Sequence, residues 1–192
     1  MKRLVILFLC LAIASCLFGQ KRALLIVDVQ DFYFKGSSAL VNPDSAAEKA
    51  AILLERFRAK GDLIVHVKHR AKSDAEIYYK VLPKSNEKIV EKDKISSFEG
   101  TDLQDFLKQN GITELVICGM MTHMCVEAAF RAATDLGYKC TLIEDACATR
   151  NLTFNGKVTA AADVHNSTLA TLTYYGQVLS LADFVRKEDA LK

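Results

Sequence analysis

Residues 115–126 have the sequence LVICGMMTHMCV. The apolar, β-prone run at residues 116–118 is typical of a strand that is covered on both faces of a sheet. Gly119 ends this run, and an alanine-rich segment of helical character follows Cys125. The pattern predicts a buried strand, a glycine-led turn and a helix. Because the positive end of a helix and any nearby cation lower the pKa of a thiol, Cys125 is a candidate nucleophile.

Strands and helices alternate along the rest of the chain. Short apolar runs predict five further strands, at residues 23–27, 63–67, 89–90, 140–143 and 177–179. Helices are predicted between these strands. The first begins at Asn42-Pro43 and ends at Gly61, and the second begins with the capping-box sequence TDLQ at 101–104 and ends at Gly111. The third extends from Cys125 to Gly137, the fourth covers Val158 to Tyr175, and a cap at Ser180 would begin a last short helix. This alternation predicts an α/β fold with three α/β/α layers and a central, mostly parallel six-stranded sheet of Rossmann-like topology.

The first 19 residues differ in character from the rest of the chain. Two basic residues precede an apolar run at residues 4–14, which is too short to cross a bilayer comfortably. We therefore predict an export signal at residues 1–19 and a single mature domain at residues 20–192, in a bacterial periplasm or outside the cell. The alternative is a lipobox-like sequence ending at Cys16, whose lipidation would anchor the domain to a membrane. Without that lipid we expect no contact with a membrane.

Composition excludes some classes of function. The chain has 192 residues, of which 51% are hydrophobic, and this suits one globular domain with a sizeable core. Its formal net charge of +2 falls to zero when the two basic residues of the signal are removed, so charge offers no argument for nucleic-acid binding. The cysteines of the domain lack zinc-site spacing. Cys118 and Cys140 lie within predicted strands and are expected to be buried free thiols.

Three reactive side chains follow predicted strands. Asp28 follows the first strand, Lys92 the third and Cys125 the fourth. In a parallel sheet the carboxyl ends of the strands share one edge, and ligands bind there. A thiol becomes an effective nucleophile when three kinds of group surround it. A carboxylate accepts and returns its proton, an ammonium stabilises the thiolate, and backbone amides of a turn bind the oxyanion. Taken singly, the three residues also fit ordinary roles as a cap, a surface charge and a small core residue.

Four segments, in order, resemble the motifs of one enzyme family. They are LLIVDVQDF at 24–32, KDKISSF at 92–98 with GTDL at 100–103, GMMTHMCV at 119–126, and EDACATR at 144–150. The family is the isochorismatase-like cysteine hydrolases, which include nicotinamidases, N-carbamoyl-amino-acid amidohydrolases, ureidoacrylate hydrolases and isochorismatases. The resemblance extends over about residues 23–185, and it implies the isochorismatase-like version of the predicted α/β fold.

The resemblance also implies roles for individual residues. Asp28 would be the general base, Lys92 the cation that stabilises the thiolate, and Cys125 the nucleophile. The oxyanion hole would consist of the backbone N–H groups of Met121 and Cys125, and a cis peptide bond would join Met120 to Met121. Dimers and tetramers are common in the family, so a homodimer or a homotetramer is implied as well.

The region after the second predicted strand has the sequence HVKHR and lacks the Asp-x-His motif of the family's metal-dependent nicotinamidases. We therefore expect no metal and no cofactor, and we expect His66 and His69 to be strand-end or loop residues. Phe32 and Phe98 flank the family motifs and are candidates for the walls of a pocket that takes a flat substrate. Core packing is the alternative for both rings.

The predicted function is that of a metal-independent cysteine hydrolase, which cleaves a C–N bond of a small amide through a thioester on Cys125. One alternative is hydrolysis of a vinyl ether, as in isochorismatases, because a fold does not determine the reaction. The other is a redox-sensing or binding protein that uses the reactive thiol. The complete set of Asp28, Lys92 and Cys125 favours hydrolysis, because a sensor has no chemical need of all three.

Overall fold

A computed structural model describes residues 21–71 and 75–190. The predicted signal at residues 1–19 and the possible lipidation site at Cys16 lie outside the described residues. Within the described part of the chain, no helix is long and apolar enough to cross a membrane.

The architecture is a parallel sheet between layers of helices. The strands are β1 (Lys21–Val27), β2 (Leu63–His69), β3 (Lys88–Lys92), β4 (Ile112–Met120), β5 (Lys139–Ala148), β6 (Leu152–Phe154), β7 (Lys157–Thr159) and β8 (Gln177–Leu179). Six of them form one sheet in the order β3-β2-β1-β4-β5-β8, and all of its pairings are parallel. The predicted α/β fold and six-stranded sheet are confirmed.

The described residues contain five α-helices, which lie between and after these strands. They are α1 (Pro43–Lys60), α2 (Leu103–Gln109), α3 (Glu127–Asp135), α4 (Ala161–Leu172) and α5 (Leu181–Asp189). The longest helix, α1, buries Leu53, Leu54 and Phe57 in the core. Ser180 caps α5, as predicted, because its hydroxyl accepts a hydrogen bond from the N–H of Asp183.

The predicted helix from Val158 to Tyr175 begins too early. Strands β6 and β7 form an exposed antiparallel hairpin, and α4 starts only at Ala161. The hairpin turn is Asn155-Gly156, in which both residues have positive φ, of 48° and 73°. Asn-Gly between two short strands is a strong signal for a two-residue hairpin, and it outweighs the helical character of the residues that follow.

Helix α1 begins at Pro43 after Asn42, as predicted, but two predicted side-chain caps do not form. Asn42 precedes α1 in a left-handed conformation, and its side chain makes no capping hydrogen bond. At the start of α2 the capping box does not form, since Asp102 is the N-cap residue and its side chain makes no such bond. The hydroxyl of Thr101 donates to the carbonyl of Ser97, at 2.7 Å, and accepts from the N–H of Leu103, at 3.4 Å. At α2, local contacts of Thr101 therefore replace the capping box.

Strand β5 extends further than its apolar run. It was predicted for residues 140–143, but it continues to Ala148 after a break in register. Leu142 lies opposite Ile117, whereas Cys147 lies opposite Gly119. The pairing with β4 thus resumes beyond the polar residues and carries the end of β5 to the same edge as the end of β4. The four described cysteines are all free and buried, which confirms the prediction for Cys118 and Cys140.

Gly119 allows β4 to approach β1 next to Asp28. It pairs with Val27 in the sheet and has a φ of 132°. A Cβ atom at this position would lie 2.0 Å from the carbonyl oxygen of Val27. Only glycine combines this backbone conformation with so close an approach. The register between β1 and β4 places the turn after β4 beside Asp28. This register therefore depends on the absence of a side chain at position 119.

We expect Gly119→Ala to lower the free energy of unfolding by about 3 kcal/mol or more, because overpacking adds to the unfavourable backbone conformation. Urea denaturation of the two proteins measures the difference. Gly137→Ala is a matched control, since Gly137 also has a positive φ, of 90°, but a Cβ atom added there would have no neighbouring atom within 4 Å. Equal losses of stability in both variants would contradict the role assigned to close approach.

Candidate active site

The three side chains that were predicted from the strand ends meet in the structure. Lys92 Nζ lies 2.8 Å from Asp28 Oδ2 and 3.2 Å from Cys125 Sγ. Asp28 is fully buried, Lys92 is 1% exposed, and Cys125 is 5% exposed. The carboxyl ends of β1 and β3 and the turn after β4 therefore assemble one buried cluster of a carboxylate, an ammonium and a thiol.

Asp28 has an unusual backbone conformation. It directly follows β1 with a φ of 50°, and its N–H donates to the carbonyl of Val67 at 3.0 Å. A residue other than glycine with positive φ is uncommon and costs about 1 kcal/mol or more, and such residues cluster at functional sites. Here the conformation accompanies a carboxylate that is directed at Lys92 and interacts with Cys125.

The ammonium of Lys92 is held by four groups. Besides Asp28 and Cys125, it contacts the carbonyl oxygen of Lys94 at 3.1 Å and Nδ1 of His69 at 3.3 Å. Burying a charge is costly unless it is paired and hydrogen-bonded. Asp28 supplies the opposite charge, and the other three groups surround the two remaining donors of the ammonium, with His69 the farthest of them.

Cys125 lies in a π-helical turn, Thr122–Val126, that leads directly into α3. The peptide bond between Met120 and Met121 is cis, as the family resemblance implied. The carbonyl of Met121 accepts hydrogen bonds from the N–H groups of Met124 and Val126, which lie on either side of Cys125. The two N–H groups that the resemblance assigns to an oxyanion hole, those of Met121 and Cys125, belong to this same turn.

The thiol is less acidic than its position at a helix start suggested. Burial and the Asp28 carboxylate raise the pKa of Cys125 to about 12, and Lys92 opposes them only in part. The expectation of a lowered pKa is therefore wrong, because burial outweighs the nearby cation. Burial also raises the pKa of Asp28, against the opposite effect of Lys92. The site therefore combines a thiol of raised pKa with a buried ion pair.

Two further hydrogen bonds fix the turn to its surroundings. Thr122 Oγ1 lies 2.9 Å from Nδ1 of His165, on α4, and His123 Nδ1 lies 2.6 Å from Oγ1 of Thr149, just after β5. Burial lowers the pKa of both histidines, which favours their neutral forms at neutral pH. Both contacts join segments that are distant in sequence, so no local pattern indicated them.

A cavity of about 470 Å³ reaches Cys125 from the surface. Its walls are formed by Phe32, Tyr33, Ser38, His69, Ala71, Ile95, Met124 and Cys125. Phe32 thus lies where the sequence placed it, on the cavity wall. Phe98 does not line the cavity, because its ring stacks on Tyr138 with the centroids 6.2 Å apart. Tyr138 directly precedes β5, so Phe98 packs toward the opposite edge of the sheet.

His69 is a site residue that the sequence analysis missed. It is the last residue of β2 and pairs in register with Lys92 on β3. The side chain of Gln30 holds its backbone, accepting from its N–H at 2.8 Å and donating to its carbonyl at 3.0 Å. The rule that selected Asp28 and Lys92, a position at the carboxyl end of a strand, would also have selected His69. His66, in contrast, lies within β2 and contacts Glu87 at 3.0 Å.

Comparison with known proteins assigns this chain to a family. The protein-family model of the isochorismatase domain matches residues 22–181 of this chain. YddQ, an isochorismatase family protein of Bacillus subtilis, is 39% identical over 85% of this chain and 98% of its own length. The streptothricin hydrolase of Streptomyces noursei is 31% identical over 85% of this chain and 60% of its own length.

A solved structure gives the same result in three dimensions. The crystal structure of an isochorismatase from Pseudomonas putida superimposes with a TM-score of 0.82 at 33% identity, over 85% of this chain and 90% of that one. The match of the domain model covers most of the chain, and the similarity to YddQ covers nearly all of that protein. The chain therefore belongs to the isochorismatase family and is a hydrolase.

Proposed function

We propose that this hydrolase is a metal-independent cysteine hydrolase, which cleaves a C–N bond of a small amide through a thioester on Cys125. The observation that supports the proposal is the contact of Cys125 with Lys92, and of Lys92 with Asp28, at a cavity wall. Such a cluster contains a nucleophile, a proton acceptor and a counter-charge within reach of one another.

The first half of the reaction forms the thioester. Asp28 accepts the thiol proton of Cys125 while the sulfur attacks the carbonyl carbon of the amide, and the ammonium of Lys92 stabilises the negative charge on sulfur. The N–H groups of Met121 and Cys125 donate to the oxyanion of the tetrahedral intermediate. The C–N bond then breaks, and the leaving nitrogen takes the proton from Asp28, which becomes a carboxylate again.

The second half releases the acid. Asp28 accepts a proton from a water molecule whose oxygen attacks the thioester carbonyl. The same N–H groups hold the second tetrahedral intermediate, which collapses with loss of the sulfur. The proton on Asp28 returns to Cys125, so the site is restored for the next cycle. Over both halves, one water molecule is consumed, and one acid and one amine or ammonia are produced.

The protonated thiol favours hydrolysis over redox sensing. A thiol with a pKa of about 12 is almost entirely protonated at neutral pH, and the thiolate is the form that peroxide oxidises. Hydrolysis avoids this difficulty, because Asp28 removes the proton only as the sulfur attacks. A vinyl ether, in turn, offers no carbonyl carbon to a thiol, so the position of Cys125 on the cavity wall favours an amide substrate.

Replacing Cys125 by alanine should lower kcat by at least about 10³-fold, since the covalent step is removed. Intact-mass spectrometry during turnover of a panel of small amides should show a transient acyl adduct in the wild type and none in Cys125→Ala. Cys140→Ala is the matched control, because Cys140 is a free, buried thiol that lies on β5 away from the cavity. An enzyme that turns over amides without its Cys125 thiol would contradict the proposal.

The activity should fall on the acid side at a pH above the usual carboxyl range. Asp28 works as a base only when deprotonated, and burial raises its pKa, so activity is lost as the pH decreases through that raised value. The acid limb of kcat/KM should therefore lie above the ordinary Asp pKa of about 4. In Lys92→Met the limb should move to still higher pH, because the ammonium that lowers the pKa of Asp28 is gone.

Asp31→Asn provides the control for this pH profile, since Asp31 lies in the same loop but outside the cluster. It should leave the acid limb in place. An acid limb at or below pH 4 in the wild type, or an unchanged limb in Lys92→Met, would argue against Asp28 as the base.

Removal of metal ions should leave the rate unchanged, because each proposed step uses only Asp28, Lys92, Cys125 and turn amides. Activity is measured before and after treatment with EDTA and with 1,10-phenanthroline, followed by dialysis. A loss of activity that zinc or manganese restores would show that the proposal of a metal-independent reaction is wrong.

A further inference from the structure

The turn Thr122–Val126, called the Cys125 turn below, begins with a threonine whose hydroxyl bonds a distant residue. Thr122 is fully buried, and its Oγ1 lies 2.9 Å from Nδ1 of His165. Threonines in helices often satisfy their hydroxyls locally, and Thr134 and Thr168 each donate to the carbonyl four residues earlier. Thr122 instead follows a strand, so no earlier turn of helix offers it a carbonyl. Its hydroxyl therefore depends on another element of the fold.

The bond between Thr122 and His165 does not require one particular tautomer of the imidazole. A threonine hydroxyl both donates and accepts, so Oγ1 can pair with Nδ1 whether or not that nitrogen carries the proton. The other ring nitrogen, Nε2, lies 3.8 Å from a carboxylate oxygen of Glu144, on β5. Helix α4, which carries His165, packs against the Cys125 turn. The imidazole thus connects this turn to α4 and to the side of β5.

The Cys125 turn is attached to the rest of the fold at two separate points. The sulfur of Cys125 lies 3.2 Å from Nζ of Lys92, on β3. Thr122 is attached to α4 through His165. Met121, whose N–H is assigned to the oxyanion hole, directly precedes Thr122. Loss of the bond at Thr122 therefore loosens a donor of the oxyanion hole, while the sulfur keeps its own contact.

We propose that His165 is a positioning residue for the hydrolysis, which holds Thr122 and thereby fixes the N–H of Met121 relative to the sulfur of Cys125. His165 does not belong to the walls of the cavity that reaches Cys125, so it acts through Thr122. Donors stabilise an oxyanion only when they lie close to the place where it forms, and a small displacement lowers the rate. This inference rests on the proposed thioester chemistry and adds a residue to it.

The test compares two reactions of the Cys125 thiol. With p-nitrophenyl acetate, the sulfur attacks the ester carbonyl through a tetrahedral oxyanion, p-nitrophenolate leaves, and the thiol proton passes to Asp28. With iodoacetamide, the sulfur displaces iodide and no oxyanion forms. Absorbance and intact mass give the two rate constants, and Cys125→Ala supplies the blank for the other thiols. Only the first reaction requires the oxyanion hole.

Thr122→Val and His165→Leu should each lower the rate constant of acylation about tenfold, as expected for one lost hydrogen bond. The rate constant of alkylation should stay within about twofold of the wild type, because Lys92 still holds the sulfur. The double variant should lose no more than either single variant, since both substitutions remove the same bond. His165→Asn places an amide near the position of Nδ1 and should recover most of the acylation rate, whereas leucine only fills the space.

Thr168→Val is the matched control. Thr168 lies buried on the same helix, and its hydroxyl bonds the carbonyl of Val164, within α4, at 2.9 Å. The substitution removes a hydrogen bond from α4 without removing the bond to the Cys125 turn, so both rate constants should stay within about twofold of the wild type. Urea denaturation of every variant verifies that folded proteins are compared.

Several results would overturn the assignment. These are unchanged acylation in either single variant, losses that multiply in the double variant, or alkylation that falls as much as acylation. An asparagine at position 165 that does no better than leucine, or an equal loss in Thr168→Val, would do the same. Failure here is distinct from failure of the proposed function. Acylation that the His165 variants leave unchanged removes only the role of His165, whereas a wild type whose Cys125 is not acylated removes the thioester chemistry as well.

Discussion

The buried ion pair between Asp28 and Lys92 is the interaction on which the site depends. Neither charge is stable alone in this position, and removal of one partner from such a pair typically costs about 3–5 kcal/mol. The strand order β3-β2-β1 brings the two residues together from strands that are not neighbours, with β2 between them. The pair in turn sets the charge around Cys125, whose sulfur lies 3.2 Å from the same ammonium.

Burial gives the cluster its chemical character. The low exposure of Cys125 and Asp28 raises the pKa of both groups, so that the thiol stays protonated while the carboxylate remains a stronger base than an exposed one. A proton shared between these two groups can move over a short path when an electrophile arrives. The same burial, by raising the pKa of the thiol, also disfavours its oxidation, because the thiolate is the reactive form.

The sequence predicted the strands well, because strands buried on both faces are continuous apolar runs whatever their neighbours are. It also predicted Asp28, Lys92 and Cys125 as one cluster, since the carboxyl ends of parallel strands share an edge. The sequence-based prediction was wrong where contacts between distant segments determine the structure. The extension of β5 to Ala148 depends on its partner β4, and the stacking of Phe98 on Tyr138 joins residues that are far apart in the chain. The Asn155-Gly156 hairpin, in contrast, has a local signal in the sequence, because Asn-Gly favours the positive φ angles of a two-residue turn.

By itself, then, the sequence determined the fold class and the family, and it predicted Cys125 as the nucleophile, because hydrophobic periodicity and short motifs are local properties of the chain. Only the tertiary structure decided the protonation of Cys125, the partners of Lys92 and the place of His69 on the cavity wall. These features depend on burial and on distances between segments, and neither quantity exists until the strands are ordered in the sheet.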